Sequence, residues 1–303
     1  MKTLIQMENE GLRASLNTHF GSSLFSIFHF PFSILVTLLA LTTLSSCDDP
    51  VDIDLNTASP YLVVDGALDD DSLLPDTVRL KTSIGYLENR PLPAAQGAQV
   101  IITGTDGQVD TLQEVVPGKY VTRTFVGRKR ATYTLTIAWQ GERYRATATM
   151  PRGIAIDSVR AVYKEKRNFQ DAGYYIELYA QEPAGKGDYY KFEIMKNDTL
   201  QNLVVDLAFA NDELVDGNYI NGPELNFNPY KRGDRVTGYV KAITEDAFYF
   251  YTELQNTFFQ GGLFAPPPAN LRTNVQNLDP KSTKRATGYL FVYTIDQRSL
   301  ICE

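Results

Sequence analysis

The chain has 303 residues, 43% hydrophobic and 21% charged, with a formal net charge of −7 and an isoelectric point near 5.0. That acidity argues against nucleic-acid binding, which depends on neutralising phosphates with Lys and Arg. Its two histidines, His19 and His29, and the first of its two cysteines, Cys47, all lie in the first 47 residues. The chain beyond Cys47 therefore excludes Ser-His-Asp and Cys-His nucleophile systems, His-ligated zinc or iron, and an internal disulfide.

The chain opens with an apolar run from Leu24 to Leu44 that contains no Lys, Arg, Asp or Glu, preceded by Lys2 and Arg13 and closed by Leu44-Ser45-Ser46-Cys47. A secretory signal needs a basic start, roughly 7–15 apolar residues and small residues at the cut. Residues 1–46 are therefore expected to be a removable signal segment. The alternative is an uncleaved span, since about 20 apolar residues cross a bilayer. Pro31 and His29 interrupt the run and count against it. Removing Lys2, Arg13, Glu8 and Glu10 together leaves the net charge at −7. Residues 47–59, rich in Asp, read as an acidic tether.

From residue 60 the pattern is β. YLVVDG, TVRLKT (77–82) and AQVIIT (98–103) are followed by an Asp106-Gly107 turn, QVDTLQEV, YTLTIAW (133–139) and RYRATATM (143–150). Short alternating runs with turns every 8–12 residues predict a first sandwich over 60–150. Pro151-Arg152-Gly153 marks a boundary. The second β-rich domain, 151–303, contains DSVRAVY (157–163), YYIELYA (174–180), DYYKFEIM (188–195), RVTGYVKAI (235–243) and a last strand GYLFVYTI (288–295). A helix is expected near 245–260, with Thr244 as N-cap, Glu245 and Asp246 in its first turn, and Phe248, Tyr251, Leu254, Phe258 and Phe259 as a core-facing stripe. The expected fold is mostly β: two antiparallel, Ig-like β-sandwich modules with one amphipathic helix in the C-terminal half.

LSSC resembles the bacterial lipobox, which implies diacylglycerol on Cys47 and cleavage before it. Each buried methylene contributes about 0.8 kcal/mol, so two or three acyl chains hold a protein on a bilayer. The order of DIDL, YLVVDG, DTVRL, GAQVIITGTDG, PGKY, YTLTI, IDSV, the Tyr-rich helix, PPPANLRTNV and GYLFVYT resembles the Bacteroidota lipoproteins grouped as domain of unknown function 4249. Residues 98–139 also resemble the carboxypeptidase-regulatory type of Ig-like module. These resemblances imply an outer-membrane, surface-exposed lipoprotein beside a TonB-dependent transporter in nutrient uptake. They imply no catalytic residues and no cofactor.

Several groups of residues are candidates for chemistry. Asn211, Asp212, Asp216 and Asn218 around Gly217 could hold calcium, which wants six to eight oxygens, but no EF-hand pattern is present. Asp69-Asp70-Asp71 and the tether aspartates read as solvated turns. NYINGPELNFNP (218–229) reads as a long aromatic, Asn-rich loop whose candidate binding residues, with the next position, are Tyr219, Asn221, Phe227 and Tyr230. Cys302, next to the end, reads as a bystander in a frayed tail. The expectation is a non-enzymatic accessory or binding protein. The alternatives are a stand-alone adhesive or structural module and a histidine-free hydrolase built on paired carboxylates.

Overall fold

The computed structural model describes residues 60–303 except 72–73, 86–87 and 260–269. The signal segment, Cys47 and the acidic tether lie outside the described residues. The described residues form one compact unit. It is mostly β, with largely antiparallel sheets stacked as two sandwiches and one α-helix among the described residues.

The first sandwich stacks two five-stranded sheets. One has the order β17 (Ala286–Val292), β1 (Leu62–Leu68), β2 (Thr77–Thr82), β6 (Lys119–Val121), β5 (Gln113–Val116). The other runs β16 (Val275–Asn277), β8 (Glu142–Thr149), β7 (Thr132–Trp139), β3 (Gln99–Gly104), β4 (Val109–Thr111). Alternation directs Leu62, Val64 and Leu68 of β1 inward, and likewise Tyr133, Leu135 and Ile137 of β7. With Val78, Leu80, Val100, Ile102, Tyr144, Leu290 and Val292 they make one continuous core. Each such side chain contributes about 1.5–3 kcal/mol on burial. Gln140-Gly141, both at positive φ, closes the β7–β8 hairpin as a two-residue turn. The expected strand QVDTLQEV is two strands, because Leu112 turns into the core between β4 and β5.

The second sandwich is smaller. Its three-stranded sheet has the order β14 (Tyr219–Glu224), β10 (Gly173–Gln181), β9 (Ile156–Lys164). The facing sheet runs from β11 (Tyr189–Lys196) to β15 (Arg235–Ile243) to β18 (Thr294–Ile301). β12 (Thr199–Gln201) and β13 (Ala208–Asn211) pair successively with the other edge of β11, with a short 3-10 turn (Val204–Asp206) between them. One side of the sandwich is closed where β18 packs on β9, and Asp296 Oδ2 there accepts the Ile156 amide at 2.8 Å.

The expected boundary at residue 150 is crossed twice. β16 and β17 come from the C-terminal part of the chain yet complete the sheets of the first sandwich. The segment GYLFVYTI, expected as one strand, belongs to both halves: β17 pairs parallel with β1, the chain switches at Tyr293, and β18 pairs with β15. Gly288 makes the parallel pairing possible. Its φ is +94°, and a Cβ there would lie 1.9 Å from the Val64 carbonyl oxygen. The tail is not frayed. Cys302 is fully buried beside Ile176, Ile194 and Val236, and its backbone bonds to Asp234 and Gly233.

Helix α1 (Glu245–Phe259) begins as expected, with Thr244 Oγ1 accepting the Ala247 amide at 3.1 Å. Its inner face differs from the expected stripe. Ala247, Phe248, Phe250 and Tyr251 pack on Tyr289 and Phe291 of β17 and on Tyr189 and Phe209 of the second sandwich, whereas Phe258 and Phe259 are exposed. Arg272 fastens the helix by donating to both oxygens of Glu253 and, at 2.8 Å, to Asp246. Among the described residues no helix is long and apolar enough to cross a membrane.

Candidate functional site

On the side opposite the β9–β18 contact, the second sandwich is open. Between the two sheets lies a trough of about 820 Å3. Leu178 and Ile220 line it from one sheet, and Phe192 and Ala208 from the other. A recess of about 280 Å3 continues it toward Ile194, Val205 and Tyr230, sharing Phe192, Ala208, Leu225, Asn226 and Phe227 with it. Volumes of this size suit a small molecule, and an apolar wall with a few polar groups is the usual lining of a ligand site.

Two phenylalanines stand on its lips. Phe169, in the connection from β9 to β10, and Phe227, after β14, are essentially bare to solvent at 104% and 86% relative exposure. Neither lies on a loose segment. Arg167 and Gln170 bond to each other through their backbones at 2.9 and 3.2 Å, which turns Phe169 outward. Asn226 extends the edge of β10: its Oδ1 accepts the Ile176 amide at 2.7 Å, and its Nδ2 donates to the carbonyls of Asn228 and Tyr174. An amide side chain carries both a donor and an acceptor, so Asn226 acts as a piece of backbone and fixes the turn that presents Phe227.

The charges at the mouth are unequal in their engagement. Lys164 bridges Glu224 at 2.6 Å and Glu177 at 3.1 Å, and Gln170 holds the other oxygen of Glu224 at 3.0 Å. The Glu224 hydrogen bond, outweighing the opposing effect of burial, holds the Lys164 ammonium above its usual range. Arg167 is exposed and has no side-chain partner among the described residues. Among the described residues it is the one cation lining either recess, and Asp206 lines only the smaller one.

A second constellation lies elsewhere on this sandwich. Glu182, Asp188 and Asp212 bring carboxylate oxygens within 4.8 Å of one another. Their oxygens are engaged by the protein. Tyr190 donates its hydroxyl to Glu182 at 3.0 Å, and the Gly217 amide donates at 2.5 Å. Asp212 accepts the Asp188 amide at 3.1 Å, and Arg152 grips Asp188 through two nitrogens. Burial, reinforced by the Asp188 charge, raises the Glu182 carboxyl. Burial also raises the Tyr190 hydroxyl. The arrangement ties β10, β11 and the 212–217 turn together.

The residues singled out by sequence fall in different places. Phe227 borders the trough and Tyr230 its recess. Tyr219 and Asn221 are not on a loop but on β14, where alternation sends them outward while Ile220 faces the trough. Of the calcium candidates, Asp212 joins the carboxylate cluster. Asp216 instead accepts the Gly185 amide, and Asn218 donates to the Asp216 carbonyl. Phe169 and Arg167 were not anticipated. The available signal was a lone Phe between polar residues in RNFQD, matching the setting of Phe227 in LNFNP.

The architecture is that of a two-sandwich β protein with its open, apolar-lined site in one sandwich. The chain belongs to the family described as "Domain of unknown function (DUF4249)", whose model matches residues 48–299. No curated protein matches it. Among solved structures it is similar to the adhesin InvE of Yersinia pseudotuberculosis, at 16% identity and a TM-score of 0.20, over 60% of this chain and 55% of that one.

Proposed function

We propose that this protein is a non-enzymatic, lipid-anchored surface binding protein whose second sandwich captures an apolar ligand in the open trough. The observation that carries the reading is the pair of bare rings, Phe169 and Phe227, set in place by the Arg167–Gln170 backbone bonds and the Asn226 side chain over a wall of Leu178, Phe192, Ile220 and Leu225. Exposed apolar surface that the fold takes trouble to hold in place marks an interaction site. The nearest carboxylate, Glu224, is occupied by Lys164 and Gln170, so the trough presents binding surface and no poised acid–base pair.

The lipobox-like LSSC supports an anchor on Cys47, with the domain displayed at the surface of the outer membrane of a member of the Bacteroidota. The finer reading makes the first sandwich a carboxypeptidase-regulatory, Ig-like module and the whole an accessory to a TonB-dependent transporter. Its support is the resemblance of residues 98–139.

The test is binding of the neutral fluorophore N-phenyl-1-naphthylamine. The intact protein should enhance its fluorescence, and Ala208→Trp, which fills the trough, should abolish the signal without changing the circular dichroism. Absence of binding by the intact protein overturns the reading. Cys47→Ala should release the protein from membranes; retention at unchanged size removes the anchor. Recovery with a transporter from gently solubilised outer membranes supports the accessory role, and recovery alone favours a stand-alone adhesive or binding module.

A further inference from the structure

We infer that the ligand of the trough is amphipathic, an apolar chain ending in a single carboxylate, with a long-chain fatty acid as its simplest form. This rests on the trough being a binding site and adds the chemistry of its occupant.

The apolar trough and its smaller, more polar recess form two joined chambers that share Phe192, Ala208, Leu225 and Phe227. A space of that form suits a flexible chain better than a compact ring system. Charge is distributed unevenly along it. Arg167 borders the large chamber only, exposed and without a side-chain partner among the described residues; Glu224 lines the same chamber with both oxygens engaged by Lys164 and Gln170, and Asp206 borders the recess only. The cations next to it in sequence are already committed, Lys166 to Asp171 and Lys164 to Glu177 and Glu224. A guanidinium offers two parallel N–H donors to a carboxylate and stays charged at every physiological pH. One free cation and no second one among the described lining residues matches a head of one negative charge and disfavours a phosphate dianion. Asp206 repels an anion at the far end, so the chain enters tail first and leaves its head at Arg167. Asn168, beside Arg167 on the same lip, supplies an amide group for a remaining carboxylate lone pair.

The experiment is displacement of N-phenyl-1-naphthylamine from the intact protein by palmitate and by 1-hexadecanol, each below its aggregation limit. The two competitors share a chain and differ in the head. Palmitate should displace the fluorophore at a concentration at least about tenfold lower, a preference that shrinks as salt rises. Arg167→Gln should erase the preference and leave hexadecanol unaffected, and Arg167→Lys should keep most of it. The Arg167 side chain has no partner among the described residues and its backbone bonds to Gln170 survive substitution, so these variants should unfold at the temperature of the parent protein. Equal displacement by both competitors overturns the carboxylate while leaving the trough a binding site. A palmitate preference that survives in Arg167→Gln overturns the role of Arg167. If the fluorophore never binds and palmitate does not quench intrinsic fluorescence, the binding-site reading falls as well.

Discussion

The two sandwiches are built from similar strands and end differently. In the first, both sheets close over one continuous core in which Leu62, Leu68, Val78, Leu80, Ile102, Tyr133 and Leu135 are essentially solvent-free. In the second, the interior is divided into two clusters, one around Ile156, Leu178 and Val240 and one around Ile176, Val236 and Cys302, with Leu225 bordering both. Two five-stranded sheets can cover each other; a three-stranded sheet cannot cover its larger partner, and the trough is the uncovered strip. Packing thereby separates a scaffold from a site, and the link between them is the segment that passes from β17 to β18.

The largest effect is expected where that link is made. Gly288→Ala would strain a residue at φ +94° and drive a Cβ into the Val64 carbonyl. Positive-φ strain and overpacking each cost about 1–3 kcal/mol, so a loss of about 3 kcal/mol or more is expected in urea unfolding. If the link joins two cooperative halves, the second sandwich should lose hydrogen-exchange protection along with the first. Retention of native protection in both would show that β17 is dispensable to each.

The next effect tests the same junction by pH. Asp76 is buried beside Asp69, and burial first, the Asp69 charge second, push its carboxyl up to about 8. The folded protein therefore holds a proton that the unfolded chain releases near pH 4. Stability from this group is complete below about pH 4, declines as pH rises, and is gone above about pH 8. Asp76→Asn keeps an oxygen to accept the Asp69 amide, bonded at 3.0 Å in the parent. The difference in melting temperature between variant and parent should grow from pH 4 to pH 9 in favour of the variant. A difference that is flat with pH would refute the buried, protonated carboxyl.

Smaller still is the clamp on the helix that packs against both halves. Arg272→Met removes the bonds to Glu253 and Asp246, all partly exposed, so about 1 kcal/mol is expected. Hydrogen exchange should accelerate in Glu245–Phe259 while β7 and β15 keep their protection. Equal acceleration everywhere would make the helix part of the scaffold.

Much of the scaffold was legible because alternation is a local signal. TVRLKT and RVTGYVKAI match β2 and β15 to the residue, and Thr244 caps the helix as its hydroxyl and position suggest. The pairing of strands distant in sequence was not. Nothing in GYLFVYTI says that its two ends serve different sandwiches, because that division is settled by the Gly288 contact with Val64 across more than two hundred residues. The site was half legible for the same reason. Phe227 and Tyr230 stand out as aromatics among Asn and Pro, but their partner Phe169 enters the trough from another hairpin. The reading of 218–229 as a loop failed where Gly222 and Pro223, turn residues by habit, are accommodated on the edge strand β14, which has only one neighbour to bond.

The comparison is sharpest where one leucine is set against another. Leu135→Ala in the closed sandwich removes a side chain with no solvent contact, and both the lost transfer energy and the resulting void count against the fold, about 2–5 kcal/mol in all. Leu225→Ala deletes the same atoms from the wall of the trough, where Leu225 is only partly buried. Water already reaches that wall, so no sealed void is created and only part of the transfer energy is lost, about 1 kcal/mol. The ratio of the two, measured by urea unfolding with the same slope for both variants, reports whether the second sandwich is open in solution. A Leu225→Ala cost equal to that of Leu135→Ala would mean that the two sheets close over Leu225 in the free protein. The trough would then exist only as a state that a ligand must open.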